Sequence, residues 1–338
     1  MNKINVGIIG FGVVGKRRQI YIVKNKNYIL KCVSDIRFKK DLIKKNIKFY
    51  KNYKNLLNKE KLDAVFITLP NYLAAKVTIE FLKKGIHVFC EKPPGKNPAE
   101  IREVIKVENK SKNIKLKYGF NHRYHDSVQI ANEYIKNKKF GNIINIRGVY
   151  GKRKIIEYKK GNWRAEKKYS GGGILMDQGI HLIDLMIFFV GKFKFFKSFI
   201  SNKYWKYDVE DNAFALMKSS GGIICSIHSS ATQWQHIFKI EIFFEKCTLI
   251  LSGILSGSKS YGAEKLTIIP KKNIKKDKIL KKKIFYFKKD NSWKKEVDEF
   301  ADIIIKNKKI LLGNSIQAYN AIKTVYNIYD NDKSWKYK

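Results

Sequence analysis

Three glycines spaced as Gly10-Phe11-Gly12-Val13-Val14-Gly15 follow the apolar run Asn5–Ile9 and open an amphipathic stretch. In such a loop the first glycine permits the tight turn and the second lets the backbone approach a pyrophosphate. The third lets helix and strand pack closely. The helix start adds unpaired N–H groups and a partial positive charge for the phosphates. Asp35 stands 20 residues beyond Gly15, at the end of a second apolar run. An acid at that point accepts both ribose hydroxyls of an adenosine and repels a 2′-phosphate, which points to NAD. Arg37, two residues on, would receive such a phosphate and so keeps NADP open.

Glu91-Lys92-Pro93-Pro94 directly follows the apolar run His87–Cys90. Ligands of a doubly wound sheet bind outside the carboxyl ends of its strands. Glu91 and Lys92 are therefore expected in the cofactor crevice, with Lys92 able to hydrogen-bond a reacting hydroxyl or carbonyl. Thr68, Pro70 and Asn71 end the preceding run and belong to the same rim. A Lys-Pro-Pro turn at a strand end tolerates a cis bond at little cost, so Lys92–Pro93 is expected to be cis.

A third group lies in Gly171-Gly172-Gly173 and the apolar stretch after it, Ile174–Val190. Asp177, His181 and Asp184 are four and three residues apart, which puts them on one helical face. Ionisable groups on an otherwise apolar helix are expensive unless paired or functional. Imidazole exchanges a proton near neutral pH, as hydride chemistry on an alcohol requires. Two other readings compete: a core histidine bridging to Asp177 or Asp184, and a metal site. No further His or Cys cluster completes a metal shell, so no metal is expected.

The elements that must hold these groups follow from periodicity. Up to about residue 120, strand-like runs (Asn5–Ile9, Ile29–Ser34, Ala64–Thr68, His87–Cys90, Ile114–Tyr118) alternate with helical stretches (Val14–Val23, Phe38–Lys45, Tyr72–Lys84, Ala99–Lys112). That alternation predicts an α/β unit with a parallel, doubly wound sheet. Beyond it, Ile143–Tyr150, Phe195–Ser201, Ala213–Met217, Ile223–Ser229, Phe238–Phe244 and Thr248–Ser252 read as successive, mostly antiparallel strands. Ile174–Val190, Trp293–Lys306 and Ser315–Tyr329 read as helices. The expected domains are 1–120 and 121–338, with the last helix free to pack back on the first.

The chain has 338 residues, 44% of them apolar, enough for two cored domains. Lys and Arg number 70 against 29 Asp and Glu, a formal charge of +41. Such an excess raises nucleic acid as a partner, yet the lysines are spread along the chain beside abundant Ile and Asn, which suits compositional drift better. One segment is denser. Residues 151–170 carry eight basic side chains (Lys152, Arg153, Lys154, Lys159, Lys160, Arg164, Lys167, Lys168) offset by Glu157 and Glu166. The average would give about four. A positive rim before Gly171–Gly173 would focus anionic substrates. The four scattered cysteines argue against a disulfide framework or a zinc module. Apolar runs fall short of a membrane span and the glycine-broken N-terminus is no signal peptide, so a soluble, cytoplasmic protein is expected.

Taken together, the glycine loop, Glu91-Lys92-Pro93 and the Gly-Gly-Gly-x-x-x-Asp-x-x-x-His helix resemble the glucose–fructose oxidoreductase/inositol dehydrogenase (Gfo/Idh/MocA) family. Glu210-Asp211-Asn212-Ala213 and the helix around Gln317-Ala318-Tyr319 extend the resemblance almost end to end. It implies an N-terminal Rossmann domain and a C-terminal α+β domain whose open, largely antiparallel sheet makes a homodimer or homotetramer. It also implies NAD(P)-dependent hydride transfer on a sugar or nucleotide sugar. By that analogy Lys92 polarises the reacting oxygen, His181 is the acid/base, and Asp177 holds substrate or histidine. Asn121, Arg123, Tyr124, Trp163 and Arg164 would line the substrate pocket. Two rival functions remain at this stage: a redox-neutral, NAD-using glycosidase or isomerising enzyme of the same fold, and a non-catalytic nucleic-acid-binding protein.

Overall fold

The computed structural model describes residues 3–154, 162–256, 260–271 and 281–335. These divide into two compact units: residues 1–121 with 293–319, and residues 122–292 with 320–338.

In the first unit β1 (Ile4–Ile9) leads into α1 (Val13–Lys24), followed by β2 (Tyr28–Ser34), β3 (Leu42–Lys44), β4 (Ile47–Tyr50) and α2 (Tyr53–Lys59). Then come β5 (Ala64–Ile67), α3 (Asn71–Lys83), β6 (His87–Glu91), α4 (Pro98–Lys110) and β7 (Leu116–Gly119). The strands form one sheet in the order β3-β4-β2-β1-β5-β6-β7, parallel except for β3 on β4. The central β5, Ala-Val-Phe-Ile, is wholly apolar and buried, because helices cover both faces of a parallel sheet.

Phe38–Lys45, expected to be helical, is corrected to the approach and first strand of a hairpin. Lys45 and Asn46 both have positive φ, 49° and 62°, the turn whose twist matches antiparallel strands. Asn tolerates that region better than most residues, and the local turn overrides the amphipathic spacing.

The second unit opens with a 3₁₀ turn at Asn121–Tyr124, then α5 (Asp126–Lys136), β8 (Ile143–Gly151), α6 (Lys167–Ser170), α7 (Ile180–Val190) and β9 (Phe193–Ser201). Five further strands run β10 (Asn212–Ser219), β11 (Ile224–Ser230), β12 (Ile237–Phe244), β13 (Cys247–Ser252) and β14 (Glu264–Pro270), and β15 (Lys283–Phe287) is the last. The eight strands lie in the order β15-β14-β13-β12-β8-β11-β10-β9, antiparallel throughout except for β8 beside β11. In β10 the small or apolar Ala213, Ala215 and Met217 turn inward while Phe214, Leu216 and Lys218 turn out, the alternation of a sheet covered on one face. The covering helix is α7. A Cβ at Gly148 of β8 would lie 2.7 Å from Leu182 and 2.9 Å from Met186, so only glycine admits this approach.

By length and composition alone the stretch Lys167–Val190 could cross a membrane, but 72% of its most apolar window is buried within the protein. It is the core helix of the second unit.

Two helices close the chain: α8 (Ser292–Ile305) and α9 (Ser315–Asp330), the unit boundary falling within α9. From α8, Val297, Phe300 and Ala301 join the core of the first unit with Val6, Ile8, Phe66 and Phe89. Helix α8 and the first residues of α9, up to Tyr319, thus belong to the first unit.

Candidate active site

The first unit carries the glycine loop at the carboxyl end of β1. Gly10 has φ +90°, and a Cβ there would sit 2.6 Å from the Thr68 carbonyl oxygen. At Gly15 a Cβ would sit 2.2 Å from the Gly10 carbonyl oxygen. At Gly12 the nearest atom is Arg37 Nη2, 3.9 Å away, so this glycine faces open space. The Thr68 hydroxyl donates to the Gly10 carbonyl and holds the loop from the end of β5. No side chain caps α1 at Gly12, and Val13 is exposed, leaving the first-turn N–H groups to a ligand. An open glycine above an uncapped helix start fits a dinucleotide pyrophosphate. Phe11 turns away from that opening, packing on Phe38 and Phe49 of the hairpin region.

Asp35 ends β2 as expected, and its carboxylate is fully engaged. Oδ2 accepts from Phe11 N at 2.7 Å and from Arg37 Nη2 at 2.7 Å; Oδ1 accepts from Arg37 N at 3.0 Å and Arg37 Nε at 2.7 Å. Those bonds occupy about four acceptor positions, the full capacity of a carboxylate. Burial works the other way, but the Arg37 and Phe11 bonds hold Asp35 below its usual range.

Lys92 follows β6 directly, half-buried, and the Lys92–Pro93 bond is cis, as the turn chemistry predicted. Pro70 precedes α3 and Asn71 is its buried first residue. Glu91, expected toward the cofactor, instead faces inward. Its carboxylate pairs with Arg18, a fully buried residue of α1, at 2.6 Å. The same guanidinium reaches Glu296 of α8, also at 2.6 Å, and lies over the rings of Phe89 and Trp293. One cation cannot balance two buried anions. Burial, helped by the charge of Glu91, lifts Glu296 to about 7 against the pull of Arg18.

The second unit carries the histidine helix. Gly171, at φ +79°, ends α6, and a Cβ at Gly173 would lie 2.1 Å from the Glu210 carbonyl oxygen. Glu210 is buried and accepts from Gly173 N at 2.7 Å, Leu175 N at 2.8 Å and Tyr329 Oη at 2.8 Å, fixing the start of the helix. Leu175–Gly179 form a π-helical turn before α7, and such turns recur at functional sites. Asp177 lies in that turn, half-buried, its Oδ2 2.8 Å from Lys152 Nζ at the end of β8. His181, one residue into α7, is only 4% exposed.

The polar face expected along this helix is divided. Asp184 is buried and takes a bidentate pair of bonds from Arg123, at 2.7 and 2.6 Å. That also corrects the role expected for Arg123, whose guanidinium is 1% exposed and tied to the helix. Asn121 and Tyr124 are likewise buried. The His181 ring stacks on His122, with centroids 3.7 Å apart and planes 13° from parallel. His122 Nε2 lies 3.1 Å from Tyr150 Oη. Tyr150 in turn packs edge-on against Tyr261, whose hydroxyl reaches Gln178. Burial, then the neighbouring Tyr261 and Asp177, pushes the Tyr150 hydroxyl far up. His125 completes the cluster, its Nδ1 2.7 Å from Glu264 of β14.

His122, Tyr150, Gln178 and Tyr261 escaped the sequence analysis. The one available signal was a pair of histidines, His122 and His125, flanking Arg123. Trp163 and Arg164 form a half-buried 3₁₀ turn, with the guanidinium 4.4 Å over the indole. Of the dense basic segment, Lys159, Lys160 and Glu157 lie outside the described residues. Among the described residues, no group of three or more His, Cys, Asp or Glu could hold a metal ion.

Two family models match the chain: "Oxidoreductase family, NAD-binding Rossmann fold" over residues 4–120, and "GFO/IDH/MocA C-terminal domain" over residues 128–250. Between them they take in most of the sequence. The chain belongs to the Gfo/Idh/MocA oxidoreductase family. Its first unit is an NAD-binding Rossmann domain. Among curated relatives, levoglucosan dehydrogenase of Pseudarthrobacter phenanthrenivorans is 27% identical over 57% of this chain and 53% of its own length. Glucose-6-phosphate 3-dehydrogenase of Bacillus subtilis is 30% identical over 54% and 52%. The matched stretch thus spans about half the length of either relative. A solved levoglucosan dehydrogenase, in complex with NADH and levoglucosan, shares the Gfo/Idh/MocA fold at TM-score 0.84 and 18% identity, covering 98% of both chains.

Proposed function

We propose that this family member is an NAD-dependent dehydrogenase or reductase acting on a CH–OH carbon of an anionic sugar: phosphorylated, nucleotide-linked or carboxylated. The observation that carries the reading is the buried His181 on the same helical segment as the Asp177–Lys152 pair. Asp177 can accept from sugar hydroxyls, and Lys152 can share its charge with an anionic group. Arg153 and Lys154 continue the positive rim at the end of β8. The glucose-6-phosphate relative suits this choice of substrate.

Bound NAD supplies the hydride acceptor, or NADH the donor. Gly10, Gly12 and Gly15 admit its pyrophosphate, and Asp35 receives its adenosine ribose. Lys92 donates a hydrogen bond to the reacting oxygen. His181 takes the hydroxyl proton during oxidation and returns it during reduction. General acid–base groups of this kind contribute about 100- to 10,000-fold to rate. The four buried free cysteines suit a reducing cytoplasm. Phe195, Phe199, Phe214, Leu216 and Ile224, exposed on β9–β11, suit a homo-oligomer formed through that sheet.

The test follows the NADH absorbance band, with product analysis, across paired free and phosphorylated or nucleotide-linked sugars at low and high salt. We expect kcat/KM to favour the anionic member, with the preference shrinking as salt screens the rim. A neutral sugar preferred at both ionic strengths defeats the anionic reading. Product without NADH marks the redox-neutral enzyme instead, and no cofactor turnover on any sugar defeats both.

A further inference from the structure

We propose that Arg18 is a positioning residue for Lys92. Its guanidinium holds Glu91, and so ties the strand end that carries the lysine to the helix that receives the pyrophosphate. One buried ion pair then sets how the lysine stands relative to the glycine loop. This rests on the reading of Lys92 as the group at the reacting end of the cofactor.

Arg18 lies three residues beyond Gly15 in α1, about one helical turn from the glycine loop. Its Nε donates to Glu91 Oε1 at 2.7 Å, and its Nη2 lies 2.6 Å from the same oxygen. Glu91 is the last residue of β6, and Lys92 follows it directly. Phe89 and Glu91, two apart in the strand, share one face of the sheet. The guanidinium covers both, its carbon 4.4 Å from the centre of the Phe89 ring. Helix α8 closes the other side: Trp293 lies 4.3 Å from that carbon, and Glu296 accepts from Nη2 at 2.6 Å. Strand β7 closes on the pair as well. A Cβ at Gly119, the register partner of Glu91, would sit 3.0 Å from Arg18 Nη2 and 3.0 Å from Glu91 Oε2. Glu91 is thus gripped among α1, α8 and β7, away from solvent, where charge-assisted bonds hold firmly. A lysine side chain is long and rotatable, so what the fold can fix is the backbone from which it starts. A misplacement of about 1 Å at a reacting group costs on the order of 100-fold in rate. Neutralising Arg18 needs only one acid, and the second is destabilising. Burial, with the charge of Glu91 behind it, pushes Glu296 up to about 7. An acid retained at the strand end despite that penalty fits a role in placing its neighbour.

The experiment measures how fast acetic anhydride modifies Lys92, read by peptide mass spectrometry, in the full chain with and without NADH. Lys24, exposed at the far end of α1, is the internal standard. The proteins are the parent, Glu91→Leu, Glu91→Gln and Glu296→Gln. Each is held at about ten times its own Kd for NADH, where bound cofactor can slow a covered lysine by about elevenfold at most. Arg18 itself is left in place, since its loss would strand two buried acids. Without Glu91 it still pairs with Glu296, so the Glu91 variants keep a neutralised guanidinium. NADH should slow Lys92 labelling by about tenfold in the parent and in Glu296→Gln, but by less than about threefold in Glu91→Leu. Glu91→Gln should fall between, because its amide oxygen still accepts from Arg18 Nε. Glu91→Gln and Glu296→Gln each remove one buried carboxylate from the same guanidinium, so a purely structural network would move both alike. Protection in Glu91→Leu equal to that of the parent overturns the proposal, as does an equal loss in Glu296→Gln. Should Glu91→Leu fail to fold, parent-level protection in Glu91→Gln overturns it instead. Absence of protection in the parent overturns the reading of Lys92 beneath it, which keeps the two failures apart.

Discussion

Arg37 closes both oxygens of Asp35 with two side-chain bonds and one from its own backbone. A ribose can take those oxygens only when the guanidinium lets go, and a 2′-phosphate meets a carboxylate already partly neutralised. We therefore expect Arg37→Ala to shift selectivity toward NAD by about tenfold, chiefly by weakening NADP, as opposite-charge contacts near a surface allow. Titrating tryptophan fluorescence with each cofactor checks it; an unchanged NADP affinity would sink the idea. At this scale the sequence was readable where one residue type admits one role. Gly10 and Gly15 needed only their spacing, since a Cβ at either would meet a backbone carbonyl. Charged residues were harder. Glu91 and Arg123 stand at positions that suggest ligand contact, but each is committed to a buried partner, Arg18 or Asp184. The partners lie 73 and 61 residues away, beyond what spacing reveals. Lys152 and Asp177 are a pair for the same reason that only folding discloses.

Helices and strands show the same division between local and distant causes. The alternation in β1 to β7 was legible because a parallel sheet writes near-continuous apolar runs. The β3–β4 hairpin was not, because its strands are short and exposed and its turn rests on the conformations of Lys45 and Asn46. Nor did spacing announce the π-helical turn at Leu175–Gly179, at whose start Gly173 N and Leu175 N donate to Glu210. Helix α8 brings a carboxyl into the Rossmann core, and its ionisation gives a test. Glu296 is raised from 4.5 to about 7 in the folded protein. The folded state then binds the proton more tightly than the unfolded one, so this group's stabilisation is complete below pH 4.5 and is lost as pH rises through 7. Glu296→Gln, which keeps the shape of the protonated form, should remove that dependence. Urea unfolding at pH 5 and pH 8 should show the parent losing stability relative to the variant as pH rises. A difference between the two proteins that is constant with pH would rule the assignment out.

At the scale of the whole molecule, the first unit is discontinuous: residues 1–121 are completed by residues 293–319. The joint is substantial. Val297, Phe300 and Ala301 fill its apolar core, Glu296 and Glu299 pair with buried Arg18 and Lys117, and Tyr118 N donates to the Gly313 carbonyl at 2.7 Å. Residues 1–121 made alone should therefore remain loosely packed and bind a hydrophobic dye such as ANS. Supplying a peptide of residues 292–319 should restore cooperative unfolding, whereas cooperative unfolding of the isolated fragment would contradict this. The same joint sets an order of events on the ribosome. A nascent chain that exposes Phe66 and Phe89 early cannot cover them with Phe300 until about 210 further residues have been made. At about 5–20 residues per second the wait lasts on the order of ten seconds or more. During that interval the eight strands of the second unit, which lie between residues 143 and 287, have all been made, although that unit too waits for residues 320–338. The early strands of the Rossmann unit thus wait long for their packing partner, with apolar surface open to a chaperone in the meantime.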